Sequence, residues 1–140
     1  MIMTQIRAQE RRSDPRETRI AAMIDYLRNM VVEGPGHMER FHAIFVNSER
    51  AYLADEPMGQ GQAAALSLRM RDLFGRALTV GATGIIVAHN HPSGDCRPSK
   101  IDVDATRRLA AVALALDIEL LDHLIFTESA VYSMRAGGDL

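Results

Sequence analysis

The stretch GIIVAHNHPSGDCRPSKID, Gly84–Asp102, organises the reading of the whole chain. Gly84 to His89 is a short apolar run bounded by turn signals, the mark of a central strand covered on both faces. Pro92 and Gly94 turn the chain. Ser99-Lys100-Ile101-Asp102 then has the form of a capping box opening an apolar helical run. On a strand, residues i and i+2 share a face, so His89 and His91 project together from the strand's C-terminal end. In open α/β sheets that end is where ligands bind. Two imidazoles there could offer nitrogen ligands to one Zn2+, each at about 2.0–2.1 Å. Asp102, in the first turn of the helix, could supply a third ligand and leave a fourth position open for water. Asp104 is an alternative third ligand, and Cys96 in the loop an alternative donor. The plain reading stands beside this one: Ser99 caps the helix, Asp102 favours its positive end, and the histidines are hydrogen-bonded strand-end residues. Capping and ligation are compatible, and the residues alone leave both open.

Around this stretch the bulk composition excludes several classes. With 140 residues and 47% hydrophobic content the chain has material for one compact core. A net charge of -2 gives no basic excess, so direct nucleic-acid binding is not expected. The N-terminal arginines (Arg7, Arg11, Arg12, Arg16, Arg19) are interleaved with Glu10, Asp14 and Glu17 and read as a solvated face. Cys96 is the single cysteine, which excludes an intrachain disulfide and suits a reducing cytoplasm. No apolar run approaches the ~20 residues of a membrane span. The N-terminus lacks the apolar centre of a secretory signal.

Residues 1–13 read as a flexible segment, and 14–140 as a single domain. Asp14, Pro15 and Glu17 predict a helix start, and the spacing of Ile20, Met23, Ile24 and Leu27 carries that helix to about residue 33. RFHAIFVNS (40–48) predicts a largely buried strand, and a second short strand follows near Ala51–Ala54. PMGQGQ (57–62) reads as a loop with two glycines. Leu66, Met70, Leu73, Phe74, Ala77 and Leu78 predict a helix over 63–80. Another runs from Ser99 to Asp117 with Ile101, Ala105, Leu109, Val112, Ala113 and Leu116 inside. IELLDHLIF (118–126) and AVYSM (130–134) predict a closing strand pair, and RAGGDL a loose tail. The order αββαβαββ predicts an α/β domain with a central sheet flanked by helices.

His89-x-His91-Pro92 followed by Ser99-x-x-Asp102 resembles the JAMM (MPN+/JAB) metalloprotease motif, H-x-H-P-x6-S-x-x-D, with its spacing intact. AHNHPSGD, with Pro98, Ser99, Asp102 and Thr106, resembles the RadC-like branch of that family, as do RDLFGRAL (71–78) and LLDHLIF (120–126). The resemblance covers about residues 39–137. It implies a cytidine-deaminase-like JAB/MPN fold with a curved mixed central sheet, and a Zn2+ held by His89, His91 and Asp102. It also implies a general base from an upstream glutamate at the start of the first strand, a place that Glu39 fills. The chemistry asks for such a group independently, since zinc-activated water needs a proton acceptor that is not itself a ligand. Glu33 and Glu49 are the fallback candidates. Ser99 would donate to the oxyanion of the tetrahedral intermediate.

The function implied is a zinc metallopeptidase or isopeptidase acting on a peptide or protein substrate, cytoplasmic and without membrane association. Two alternatives accompany it: a DNA-repair-associated RadC-like protein without protease activity, and a catalytically silent interaction module. RadC proteins commonly carry an N-terminal helix-hairpin-helix-like region, for which the forty residues ahead of the first strand are too few. Leu53–Met70 is a weak match to the family. His123 reads as a hydrogen-bonded core histidine or a groove residue. Asn90 faces away from the histidine pair and is expected to tie down the loop, and Asp95 to fix backbone N–H groups in its turn.

Overall fold

The computed structural model describes residues 14–32, 38–62 (backbone only over 60–62) and 69–140. The segment 1–13, residues 33–37 with Glu33, and residues 63–68 with Leu66 lie outside the described residues. The elements are α1 (Pro15–Val32), β1 (Met38–Val46), β2 (Tyr52–Gln62), α2 (Met70–Val80), β3 (Gly84–Asn90), α3 (Lys100–Ala115), β4 (Glu119–Phe126) and β5 (Val131–Ser133). They form one five-stranded mixed sheet in the order β2-β1-β3-β4-β5. All neighbours are antiparallel except β3 and β4, which are parallel and joined through α3.

Strand alternation sorts the core into two layers. Phe41, Ala43 and Phe45 of β1, with Ile85 and Val87 of β3, pack against Leu73, Phe74 and Ala77 of α2 and Leu109 and Ala113 of α3. The opposite face, Ile44, Val46, Ile86, Ala88, Leu124 and Phe126, packs against Met23, Leu27 and Val31 of α1. β3 is therefore buried along its whole length, as its unbroken apolar run requires. Gly84 opens it because nothing larger fits: a Cβ there would lie 2.9 Å from Val46 Cγ2 and 3.1 Å from Leu121 Cδ1.

Several sequence expectations are corrected. β2 is not a short strand followed by a loop but eleven residues long, through PMGQGQ. Its pairing with β1 shifts between Arg40 and His42, beside Gly59, which has φ 122°. The glycine that read as a loop signal serves an irregularity inside a strand, and Pro57 is tolerated because β2 lies at the sheet edge. Helix α2 starts at Met70, with Arg69 in extended conformation as its N-cap. The inner stripe of α3 is Asp102, Thr106, Leu109 and Ala113, and Ile101 is exposed. The C-terminal tail is fastened. Tyr132 Oη donates to Asp139 Oδ2 at 2.6 Å, and Leu140 packs on the larger core layer. Among the described residues no helix is long and apolar enough to cross a membrane.

Helix α1 is tied to the sheet edge through one carboxylate. Tyr26 Oη (2.8 Å), Tyr52 Oη and His42 Nε2 (2.5 Å) all point at Asp55. Burial pushes the Asp55 pKa up, but hydrogen bonds from Tyr52, His42 and Tyr26 outweigh it and hold it below the usual carboxylate value. The same contact, with burial second, pushes Tyr52 up to about 12. A carboxyl whose pKa is lowered by folding contributes stability above its unfolded value, about 3.9. That stability is lost as pH falls through the folded-state value. The wild-type chain is therefore expected to be more stable than Asp55→Asn at pH 7, with the gap shrinking below about pH 4. Urea unfolding across that range measures it.

Candidate metal centre

His89 lies one residue before the end of β3, on the α2/α3 side of the sheet. It is fully buried, and its ring stacks on Phe41 with centroids 4.8 Å apart. His91 lies just past the strand end, where its backbone N–H still bonds the carbonyl of Phe126 at 2.8 Å. The turn that follows needs Gly94, at φ 87°. Asp95 acts as expected of a turn aspartate: its Oδ1 accepts the Arg97 N–H at 3.0 Å, and its carboxylate pairs the Arg97 guanidinium at 2.7 Å. The chain returns at Ser99, the N-cap of α3, in a complete capping box. Ser99 Oγ accepts the Asp102 N–H at 3.0 Å, and Asp102 Oδ2 accepts the Ser99 N–H at 2.9 Å.

That box aims Asp102 at the histidines. Its Oδ2 lies 3.2 Å from His91 Nε2, and its Oδ1 lies 3.6 Å from His89 Nε2. The two Nε2 atoms are 3.0 Å apart. Ligands at about 2.0–2.1 Å around a tetrahedral ion lie roughly 3.3 Å from one another. The three spacings straddle that value. Protonation makes the same point. His91 Nδ1 sits 2.8 Å from the Asp95 carbonyl, which only accepts, so Nδ1 carries the proton and a neutral His91 presents a bare Nε2 lone pair. The Asp102 carboxylate and the His91 lone pair then face one another with no donor between them, an arrangement that a cation or an added proton must hold together.

Glu39 approaches the same pair from β1. It is 8% exposed, and its carboxylate and the two histidine nitrogens lie within 4.8 Å of one another. Among the described residues these three form the cluster that could hold a metal ion. Cys96 and Asp104 take no part in it; Asp102 is not among the three either, but faces the same two nitrogens at 3.2 and 3.6 Å. The carboxylate raises the pKa of His91, though less than the hydrogen bond with Asp102, the largest cause. His89 is driven the other way, well below its ordinary value, by burial first and then by His123. Burial would raise the Asp102 pKa, but hydrogen bonds from His91 and Ser99 and the nearby His89 hold it well below the carboxylate range.

Asn90 holds Glu39 in place, a role that alternation alone did not reveal. The β1–β3 ladder pairs Phe41 with His89 and goes no further. Beyond it the Asn90 amide substitutes for a peptide group. Its Oδ1 accepts the Arg40 N–H at 2.6 Å, and its Nδ2 donates to the Met38 carbonyl at 3.1 Å. These are the two backbone groups that flank Glu39, so Asn90 ties down β1 rather than the loop. Asn90→Ala removes both hydrogen bonds, at a cost of about 1–3 kcal/mol. Denaturant unfolding of Asn90→Ala beside the wild type measures that cost.

His123 is core, and it also touches the site. It is 1% exposed, with Nε2 2.6 Å from His89 Nδ1 and Nδ1 2.7 Å from Thr106 Oγ1. Burial lowers its pKa to about 4. It reaches the His89 face through a register shift in β4: Ile85 pairs with Leu120, but Ile86 pairs with Asp122. That extra residue reverses the alternation, so Leu120 and His123 face the same side. Asp122 stabilises the bulge, its Oδ1 accepting the His123 N–H at 2.8 Å.

The fold and this constellation define a JAB-type domain. The sequence profile of the RadC-like JAB domain family matches residues 17–139, and the chain belongs to that family. It is 34% identical over 119 residues to a UPF0758 protein of Ruegeria pomeroyi, covering 85% of this chain and 52% of that protein. It is 36% identical over 120 residues to one of Cupriavidus pinatubonensis, covering 86% of this chain and 52% of that protein. With the UPF0758 protein of Staphylococcus carnosus it shares 39% over 100 residues, 71% of this chain and 44% of that protein. The chain thus spans about half the length of the curated relatives it matches. Those names state no activity.

Proposed function

We propose that this chain is a zinc-dependent hydrolase of JAMM type that cleaves a peptide or isopeptide amide bond in a protein substrate. The observation that carries the reading is the convergence of His89 Nε2, His91 Nε2 and the Asp102 carboxylate at 3.0–3.6 Å with Glu39 beside them. His89, His91 and Asp102 hold the ion. A Zn2+ held there would supply Lewis acidity and a bound water of lowered pKa. Glu39 accepts a proton from the attacking water as the C–O bond forms, and returns it to the leaving nitrogen as the C–N bond breaks. Ser99 Oγ accepts the Asp102 N–H in the helix cap, and its O–H, which also interacts with the Asp102 carboxylate, would turn to donate to the carbonyl oxygen.

Two clefts share His91 as a wall. One is lined by Val32, Asn90, Phe126, Thr127 and Glu128, the other by Ser93, Asp95, Arg97 and Ser99. An extended substrate crossing His91 would fill both. The test is cleavage of a proteome-derived peptide library and an ε-linked lysine isopeptide library by zinc-loaded protein. New termini that disappear with chelator and with Glu39→Gln are expected. Cleavage that survives Glu39→Gln, or none in either library, would overturn the reading.

A further inference from the structure

His123 lies outside the proposed ligand set, yet its hydrogen bonds determine how His89 presents itself. Three buried groups form one chain. Thr106 O–H donates to the Asp102 carbonyl at 2.6 Å; Thr106 Oγ1 meets His123 Nδ1 at 2.7 Å; His123 Nε2 meets His89 Nδ1 at 2.6 Å. Thr106 and His89 are fully buried and His123 nearly so, so each proton has a fixed address. A carbonyl only accepts, and so does the other neighbour of Thr106, Met134 Sδ at 3.5 Å. The single Thr106 proton therefore points away from His123, and Thr106 Oγ1 accepts from His123 Nδ1–H. A neutral imidazole carries one proton, which leaves His123 Nε2 as an acceptor for His89 Nδ1–H. His89 Nε2 is then a bare lone pair aimed at His91 and Asp102.

We propose that Thr106 and His123 form a buried relay that locks His89 in the Nδ1–H tautomer, making His123 a positioning residue for the metal ligand. His91 obtains the same tautomer from a main-chain carbonyl, that of Asp95. His89 sits inside the sheet, where neighbouring carbonyls serve the β1–β3 and β3–β4 ladders. Its acceptor has to be a side chain, and the bulge in β4 delivers one. The relay's use rests on the zinc reading above; the tautomer itself does not.

Long-range 15N–1H NMR of the metal-free protein reads the tautomer directly, and chelator competition reads zinc affinity. The wild-type chain is expected to show His89 protonated at Nδ1 and unprotonated at Nε2. His123→Gln, whose amide oxygen can accept from His89, should keep zinc affinity within about threefold. His123→Leu should lose about 10- to 100-fold together with the single-tautomer signal. Thr106→Val, with Thr106→Ser as its rescue, tests the same relay if the leucine variant does not fold. An Nε2–H tautomer in the wild type, or equal affinity in the glutamine and leucine variants, would overturn the relay. The expected tautomer in a chain that takes up no zinc would uphold the relay and overturn the hydrolase reading instead.

Discussion

Glu39→Gln is expected to leave the fold and the zinc in place while lowering hydrolysis by about 10²- to 10⁴-fold. The substitution keeps the side chain's shape at a position 8% exposed and removes its negative charge together with its capacity to take a proton. The backbone around it does not depend on the carboxylate, because Asn90 holds Met38 and Arg40 on either side. The division of labour between carboxylates is open to direct challenge here. Glu39 and Asp102 both neighbour the histidine pair. Asp102 is fixed by the capping box and His91, which suits a ligand, and Glu39 comes from a separate strand. Loss of zinc in Glu39→Gln would make Glu39 a ligand and remove the general base from the scheme.

His89→Ala is expected to abolish zinc binding and also to destabilise the chain by on the order of 2–4 kcal/mol. Both effects share one cause. The ring fills a fully buried place against Phe41, and its Nδ1 faces His123 Nε2. Truncation leaves a cavity and a buried polar atom without its partner. By contrast His91 is only partly buried, with a side chain 13% exposed, so His91→Ala should lose zinc at much smaller cost to stability. Denaturant unfolding of the two variants beside the wild type compares them.

Much of the architecture was legible because local and global signals agreed. The element order αββαβαββ is the one observed. Gly84–Asp102 does form strand, turn and capped helix, with Ser99 and Asp102 as the box. The errors fall where one residue type serves two purposes. Gly59 and Pro57 signal a loop, yet at a sheet edge they are compatible with a strand that carries a bulge. Ile101 looks like a core residue, but the first turn of α3 turns Asp102 inward to the histidines, and its neighbour faces solvent. The relay was out of reach for a sharper reason. Whether His123 shares a face with His89 depends on the register shift between Ile85 and Ile86. A period-2 pattern cannot reveal the parity of a strand with a hidden extra residue.

The central claim is that the turn after β3 and the cap of α3 together form a zinc site with nitrogen and oxygen donors. Elemental analysis with zinc-edge X-ray absorption on protein purified without chelator tests it most directly. The account predicts close to one zinc per chain, two imidazole nitrogens and otherwise oxygen among its neighbours, and loss of the metal in His89→Ala. A chain that holds no zinc and takes none up on addition, or a sulfur neighbour from Cys96, would contradict it.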